Sequence, residues 1–290
     1  MKIFTLALSL TLLGALLFAQ TSKVKILVYV SSATSIPLDN GKTATVGVFL
    51  GELTEPLMPL VKENYELVFA TPDGNIPTID ANSLKPIAFK FSKKRLKKAQ
   101  AFYEELKKMG LDHPKKISEV LADENLLTSF DVLFVPGGHA PMTDVLYKNW
   151  LKGNDVNEET GKLLQYFHGA HKPTALICHG PGALAAVGDP YGNGKWMYDG
   201  YKMTCISNRA DKMGEKAMGG KMLAYPTDIL KQKGGIIKQT PFLMGSKVVE
   251  DRELITGQNP FSAVKLGKKL LKKIQRYKNP KYRPITDPGF

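Results

Sequence analysis

Apolar positions in this chain fall into short continuous runs separated by stretches of helical period. Val24-Lys25-Ile26-Leu27-Val28-Tyr29-Val30 is rich in β-branched residues and stops at Ser31-Ser32. That pattern predicts a strand buried on both faces, because a strand with one wet face would alternate apolar and polar positions. A helix is predicted over residues 47–62. A second strand, 65–70, follows and closes at the turn Pro72-Asp73-Gly74. Two further apolar runs, 131–135 and 173–178, lead into Pro136-Gly137-Gly138-His139 and Cys178-His179-Gly180. Helices are expected over 144–150 and 158–171, strands over 201–206 and 247–250, and a closing helix over 260–277. Strands alternating with helices imply an α/β fold with a mainly parallel sheet covered on both faces.

Residues 82–127 interrupt this rhythm with a basic, helical, strand-poor stretch, read as a cap inserted in a single domain over 20–279. At the start, Lys2 precedes an apolar run to Phe18 and polar Gln20-Thr21-Ser22, the layout of a cleaved signal peptide over 1–19. That predicts a periplasmic or secreted protein with no stable membrane insertion after cleavage. The tail 280–290 carries Pro280, Pro284 and Pro288 and is expected to be extended.

The formal charge of +13 raises nucleic acid as a partner. However, its lysines interleave with Leu96, Phe102, Leu106 and Met109 at helical spacing, as on the solvated face of an amphipathic helix. No aromatic-rich basic groove accompanies them, so no nucleic-acid partner is expected. With two cysteines, Cys178 and Cys205, a disulfide framework does not hold the fold. A single Cys178–Cys205 bridge stays open, although the turn chemistry at Cys178 speaks against it.

That chemistry sits in Ala175-Leu176-Ile177-Cys178-His179-Gly180-Pro181-Gly182. A cysteine at the carboxyl end of a buried strand, followed by residues that permit a tight strand-to-helix turn, has the mechanics of a nucleophile elbow. The helix starting there should lower the thiol pKa. Gly137, Gly138 and His139 end another strand, and adjacent glycines leave backbone N–H groups free to hold an oxyanion or substrate oxygen. No dense His/Asp/Glu spacing demands a metal, and no cofactor is expected.

With these residues in view the chain resembles the ThiJ/PfpI superfamily, whose fold is a flavodoxin-like three-layer sandwich with a cysteine on an elbow. Within it the chain resembles the heat-shock chaperone and glutathione-independent glyoxalase branch. The resemblance rests on 47–56, Thr71-Pro72-Asp73-Gly74, 135–139, Cys178-His179-Gly180-Pro181, Ala210-Asp211-Lys212 and 254–260. It implies that Cys178 is the nucleophile, His179 its base, Asp211 the acidic third member and Glu52 the carboxyl that hydrogen-bonds the thiol. Glu55, one helical turn away, competes for the last role. Cys205 stands where relatives often have glycine. The implied activity is conversion of a small reactive carbonyl such as methylglyoxal to a 2-hydroxy acid, or a related deglycase reaction, in a homodimer. Cysteine-dependent amide hydrolysis uses the same nucleophile and oxyanion hole. A holding chaperone for unfolded exported proteins is the non-enzymatic reading.

Overall fold

The computed structural model describes residues 23–149, 155–190, 192–279 and 281. The expected signal peptide lies outside the described residues, as does nearly all of the expected tail. A seven-stranded sheet forms the centre. Its strands are β1 (Lys25–Tyr29), β2 (Glu66–Thr71), β3 (Lys115–Lys116), β4 (Val132–Val135), β5 (Thr174–Ile177), β6 (Val248–Asp251) and β7 (Leu254–Gly257), in the spatial order β6-β7-β5-β4-β1-β2-β3. All neighbours pair in parallel except β6 and β7, which form an antiparallel hairpin.

Burial explains the continuous apolar runs. Ile26, Leu27, Val28 and Tyr29 of β1 are all inaccessible to solvent, because β1 lies between β4 and β2 with helices on both sides. One face meets α1 (Leu50–Lys62), α2 (Lys93–Leu106) and the closing helix α5 (Ala263–Lys278), with Ile26, Val28, Phe134 and Ile177 packed among Leu53, Leu57, Leu106, Leu266 and Leu270. The other face meets α3 (Glu158–Gly169), with Leu27, Tyr29, Leu133 and Leu176 against Leu163, Leu164 and Phe167. The alternating directions of successive β1 side chains divide it between the two cores. Helix α4 (Asn208–Met218) lies beyond the carboxyl ends of the strands.

Three local expectations differ from the structure. Residues 82–127 are largely helical, but they divide between the two faces, α2 against α1 and Ile117 and Val120 in the core with α3, and add the edge strand β3 to the sheet. Sequence pattern missed β3 because Lys115 and Lys116 are polar and exposed. The helix expected over 144–150 is a single turn, Pro141–Asp144, followed by Tyr147–Asn149 pairing with Asp155–Val156. There the Asn157 side chain donates to the Asp144 carbonyl, and the Asn157 N–H donates to that of Leu146. These bonds from a later segment satisfy carbonyls that a longer helix would have used itself. Of the strand expected over 201–206, only Lys202–Met203 pairs with another strand, Ile236–Ile237, outside the main sheet. Further along, the Thr204 N–H goes to Thr256 Oγ1 and the Ile206 N–H to the Cys178 carbonyl.

The placement of α1 depends on a bare backbone on α5. A Cβ at Gly267 would lie 2.7 Å from both Cα and the carbonyl oxygen of Pro56. These are backbone atoms of a packed helix and cannot swing aside. Gly267→Ala is therefore expected to destabilise the protein by about 1–3 kcal/mol, as overpacking does, despite the better helix propensity of alanine. Urea and thermal unfolding would check this, and unchanged stability would show that α1 and α5 can separate freely.

Candidate active site

Strand β5 delivers Cys178 at φ +83°, a left-handed backbone that costs a non-glycine residue of the order of 1–3 kcal/mol. The conformation is pinned from both sides. The Cys178 N–H donates to the Gly257 carbonyl at the end of β7, and its own carbonyl accepts from Ile206 N–H, each at 2.9 Å. The chain then turns into a short 3-10 helix, Gly180–Ala186, with Pro181 in its first turn. This is the elbow the sequence led one to expect.

Glu52 arrives from the first turn of α1 and is completely buried. Its meeting with Cys178 requires Gly137. A Cβ on Gly137 would lie 2.3 Å from Glu52 Oε2, 2.4 Å from the Ile177 carbonyl oxygen and 2.6 Å from Cys178 Cβ. Gly138 is needed for another reason: it adopts φ +101°, and a Cβ there would lie 2.3 Å from the Gly47 carbonyl oxygen. The Gly138 N–H faces both the thiol and the Glu52 carboxyl and favours the charged form of each. That is the position an oxyanion donor requires.

Among the described residues neither Glu52 oxygen has a hydrogen-bond partner of ordinary geometry, and burial pushes its pKa from 4.5 up to about 8 despite the neighbouring thiol and Gly138 N–H. Glu55 sits instead in a fork with Arg95, Oε1 at 2.9 Å from Nε and Oε2 at 2.8 Å from Nη2. The structure thus brings Glu52, and not Glu55, to the cysteine.

His179 connects the thiol to an acid. Its Nδ1 is 3.5 Å from Cys178 Sγ, and its Nε2 is 2.9 Å from Asp211 Oδ1. With the carboxylate accepting from Nε2–H, Nδ1 is left as the acceptor for the thiol proton. Asp211 lies in the first turn of α4, a helix capped by Ser207, whose side chain accepts from the Ala210 N–H. Sequence pattern did not anticipate this helix, yet it seats Asp211 only 2% exposed at the imidazole.

One sequence expectation changes. The elbow was expected to lower the thiol pKa, but burial first, and then the Glu52 carboxylate, push the Cys178 thiol up. A neutral Glu52 removes the second contribution, so the resting pair holds both protons. His139 was grouped with the oxyanion-binding glycines. Its ring lies 4.3 Å from that of His179, and burial and that neighbour push its pKa down to about 3, keeping it neutral. Cys205 forms no disulfide with Cys178. Both are free thiols, and Cys205 lies 3.2 Å from Thr227 Oγ1 with its pKa pushed up to about 12 by burial.

A family model described as ThiJ/PfpI family-like matches residues 43–189, the span holding Glu52, the glycine pair and the elbow. Among characterised proteins, the protein/nucleic acid deglycase HchA of Escherichia coli O157:H7 is 28% identical over 249 residues, covering 85% of this chain and 79% of its own. Protein/nucleic acid deglycase 1 of Escherichia coli K12 matches with the same identity and coverage. Among solved structures, the 24 kDa rapid encystment protein of Francisella tularensis superposes with a TM-score of 0.64 at 22% identity, covering 87% of this chain and 99% of its own. Glyoxalase III of Candida albicans superposes with a TM-score of 0.61 at 21% identity, covering 86% and 96%. These superpositions establish the flavodoxin-like α/β fold.

Raising the folded-state pKa of an acid above its unfolded value makes its ionisation oppose folding. At low pH both states hold the Glu52 proton and there is no penalty. From about 4.5 to about 8 the unfolded chain ionises while the folded one stays protonated, and above that the penalty is constant. Glu52→Gln should therefore gain stability over the parent as pH rises through this window and then level off. Melting temperatures of both proteins from acid to alkaline pH would check this; a pH-independent difference would mean that the carboxyl ionises freely.

Proposed function

This chain belongs to the ThiJ/PfpI-like family, and on that footing we propose that it is a cysteine-dependent, cofactor-free enzyme acting on small reactive carbonyls. The specific reading is a glutathione-independent glyoxalase, converting a 2-oxoaldehyde such as methylglyoxal to its 2-hydroxy acid, with a related deglycase activity. The observation that carries it is the buried contact of a raised-pKa carboxyl with an elbow-borne thiol. Thiol addition needs only the nucleophile and an oxyanion donor. Moving hydrogen between adjacent carbons also needs an acid that exchanges its proton near neutral pH, and Glu52 at about 8 supplies one.

In the proposed reaction the Cys178 sulfur attacks the aldehyde carbon. The thiol proton passes through His179 Nδ1 to the aldehyde oxygen, which is held by the Gly138 N–H, and a hemithioacetal forms. Glu52, protonated at rest, gives its proton to the adjacent carbonyl oxygen and takes the proton from the former aldehyde carbon, forming an enediol. It then returns that proton to the second carbon and takes the proton of the first hydroxyl, leaving a thioester and a protonated Glu52. Water cleaves the thioester, releasing the 2-hydroxy acid and restoring the thiol. The sum is methylglyoxal plus water giving lactate.

Burial favours this over peptide hydrolysis. Cys178 is 5% exposed and His179 2%, so the sulfur is open to a three-carbon molecule far more readily than to a polypeptide backbone. The name of the bacterial relatives sets nucleic acid beside protein, so the expectation that nucleic acid is no partner is not carried over.

Lactate formation from methylglyoxal without glutathione tests the proposal. The parent should turn over. Cys178→Ala should lose all activity, Glu52→Gln should lose about 10²–10⁴-fold, as expected for a general acid-base group, and Glu55→Gln should keep the proton-transfer step. No lactate from the reduced parent protein would overturn the reading.

A further inference from the structure

His139 and His179 lie in the turns after β4 and β5, and Asp211 lies in α4. One ligand-type atom from each lies within 4.8 Å of the other two. His179 Nε2 is 2.9 Å and His139 Nε2 3.8 Å from the same Asp211 oxygen, Oδ1. Three donors on a zinc ion, with bonds of about 2.0–2.2 Å, stand about 3.3 Å apart in tetrahedral geometry. The two distances to Asp211 Oδ1 bracket that value and the histidine donor atoms lie within 4.8 Å of each other, so side-chain rotations would close the set. Two imidazoles and a carboxylate with the remaining positions open are a donor set for divalent transition metals.

A second observation points the same way. Asp211 is 2% exposed, and its other oxygen, Oδ2, has no hydrogen-bond partner among the described residues. A buried carboxylate oxygen left unpaired is costly, and a cation beside it would satisfy it. The side chain of His139 is 25% exposed, which gives an ion a path from solvent.

We propose that His139, His179 and Asp211 form a binding site for a divalent transition metal ion of the zinc class, and that its occupation switches the catalytic cysteine off. The second half rests on the reading that His179 accepts the thiol proton. A metal on Nε2 takes the lone pair of that nitrogen and places the ring proton on Nδ1, the nitrogen 3.5 Å from Cys178 Sγ. Nδ1 is then a donor and can no longer accept from the thiol. No bond to sulfur is required, and removal of the metal restores the other tautomer.

Cobalt(II), a spectroscopic substitute for zinc, tests the site on the reduced protein without any need for turnover. Titration should saturate at one ion per chain, with the visible absorption of a low-coordinate cobalt centre lacking sulfur-to-metal charge transfer, and zinc should displace it. His139→Ala, at a partly exposed position, should weaken binding by at least about tenfold, the loss expected when a ligand or its support is removed, and Asp211→Asn should do the same. Cys178→Ser should bind as the parent does. Absence of saturable binding, or binding unchanged by His139→Ala, would overturn the site, and loss of binding in Cys178→Ser would reassign it to the sulfur. If the parent converts methylglyoxal, zinc should inhibit in proportion to occupancy and a chelator should reverse it. An active protein that binds zinc without inhibition would overturn the switch while leaving the site.

Discussion

The approach of the Glu52 carboxyl to the Cys178 thiol across Gly137 constrains the rest of the site. Both groups are acids removed from water, and each is more easily held neutral than charged. Bringing them together demands that α1 enter with Glu52 in its first turn, that the turn after β4 carry Gly137 with no side chain, and that β5 stop one residue before the cysteine. The two protons that burial retains are the ones the proposed chemistry moves. On the proposed reading, a dry contact that is unfavourable for stability supplies the reactivity, as is common where buried groups carry perturbed pKa values.

The elbow is held in place by its neighbours. Cys178 keeps its left-handed backbone because β7 receives its N–H and the segment before α4 donates to its carbonyl. That same segment goes on to Ser207, the cap of the helix bearing Asp211. The strain at the cysteine and the position of the acid thus share one piece of chain. On the other side, Gly267 lets α5 press against the backbone of α1 at Pro56, which seats the helix that carries Glu52. Residues outside the site act on it by fixing where two helices lie.

Much of the scaffold was legible in the sequence. β1, β2, β4 and β5 were readable because strands buried on both faces must be apolar at nearly every position. The elbow was readable because a cysteine followed by Gly180-Pro181-Gly182 after such a run has few other uses. Glu52 was a candidate because a carboxyl among apolar helix residues has to be explained. β7 was harder: Leu254, Ile255, Thr256 and Gly257 are all buried, but four residues with a threonine and a glycine make a weak pattern. β3, two exposed lysines, has no pattern at all.

The sequence by itself determined the elements and the chemical types of the site residues, since periodicity and turn chemistry are properties of neighbours along the chain. Only the tertiary structure decided between Glu52 and Glu55, by turning one toward the thiol and the other toward Arg95. It alone set Asp211 against His179 and the His139 ring, tilted, beside that histidine. It also reversed the expected direction of the thiol pKa, because burial and a facing carboxyl outweigh the turn that follows the cysteine. Those outcomes depend on distances between residues up to more than a hundred positions apart, and such distances are set by how strands cross over and helices pack.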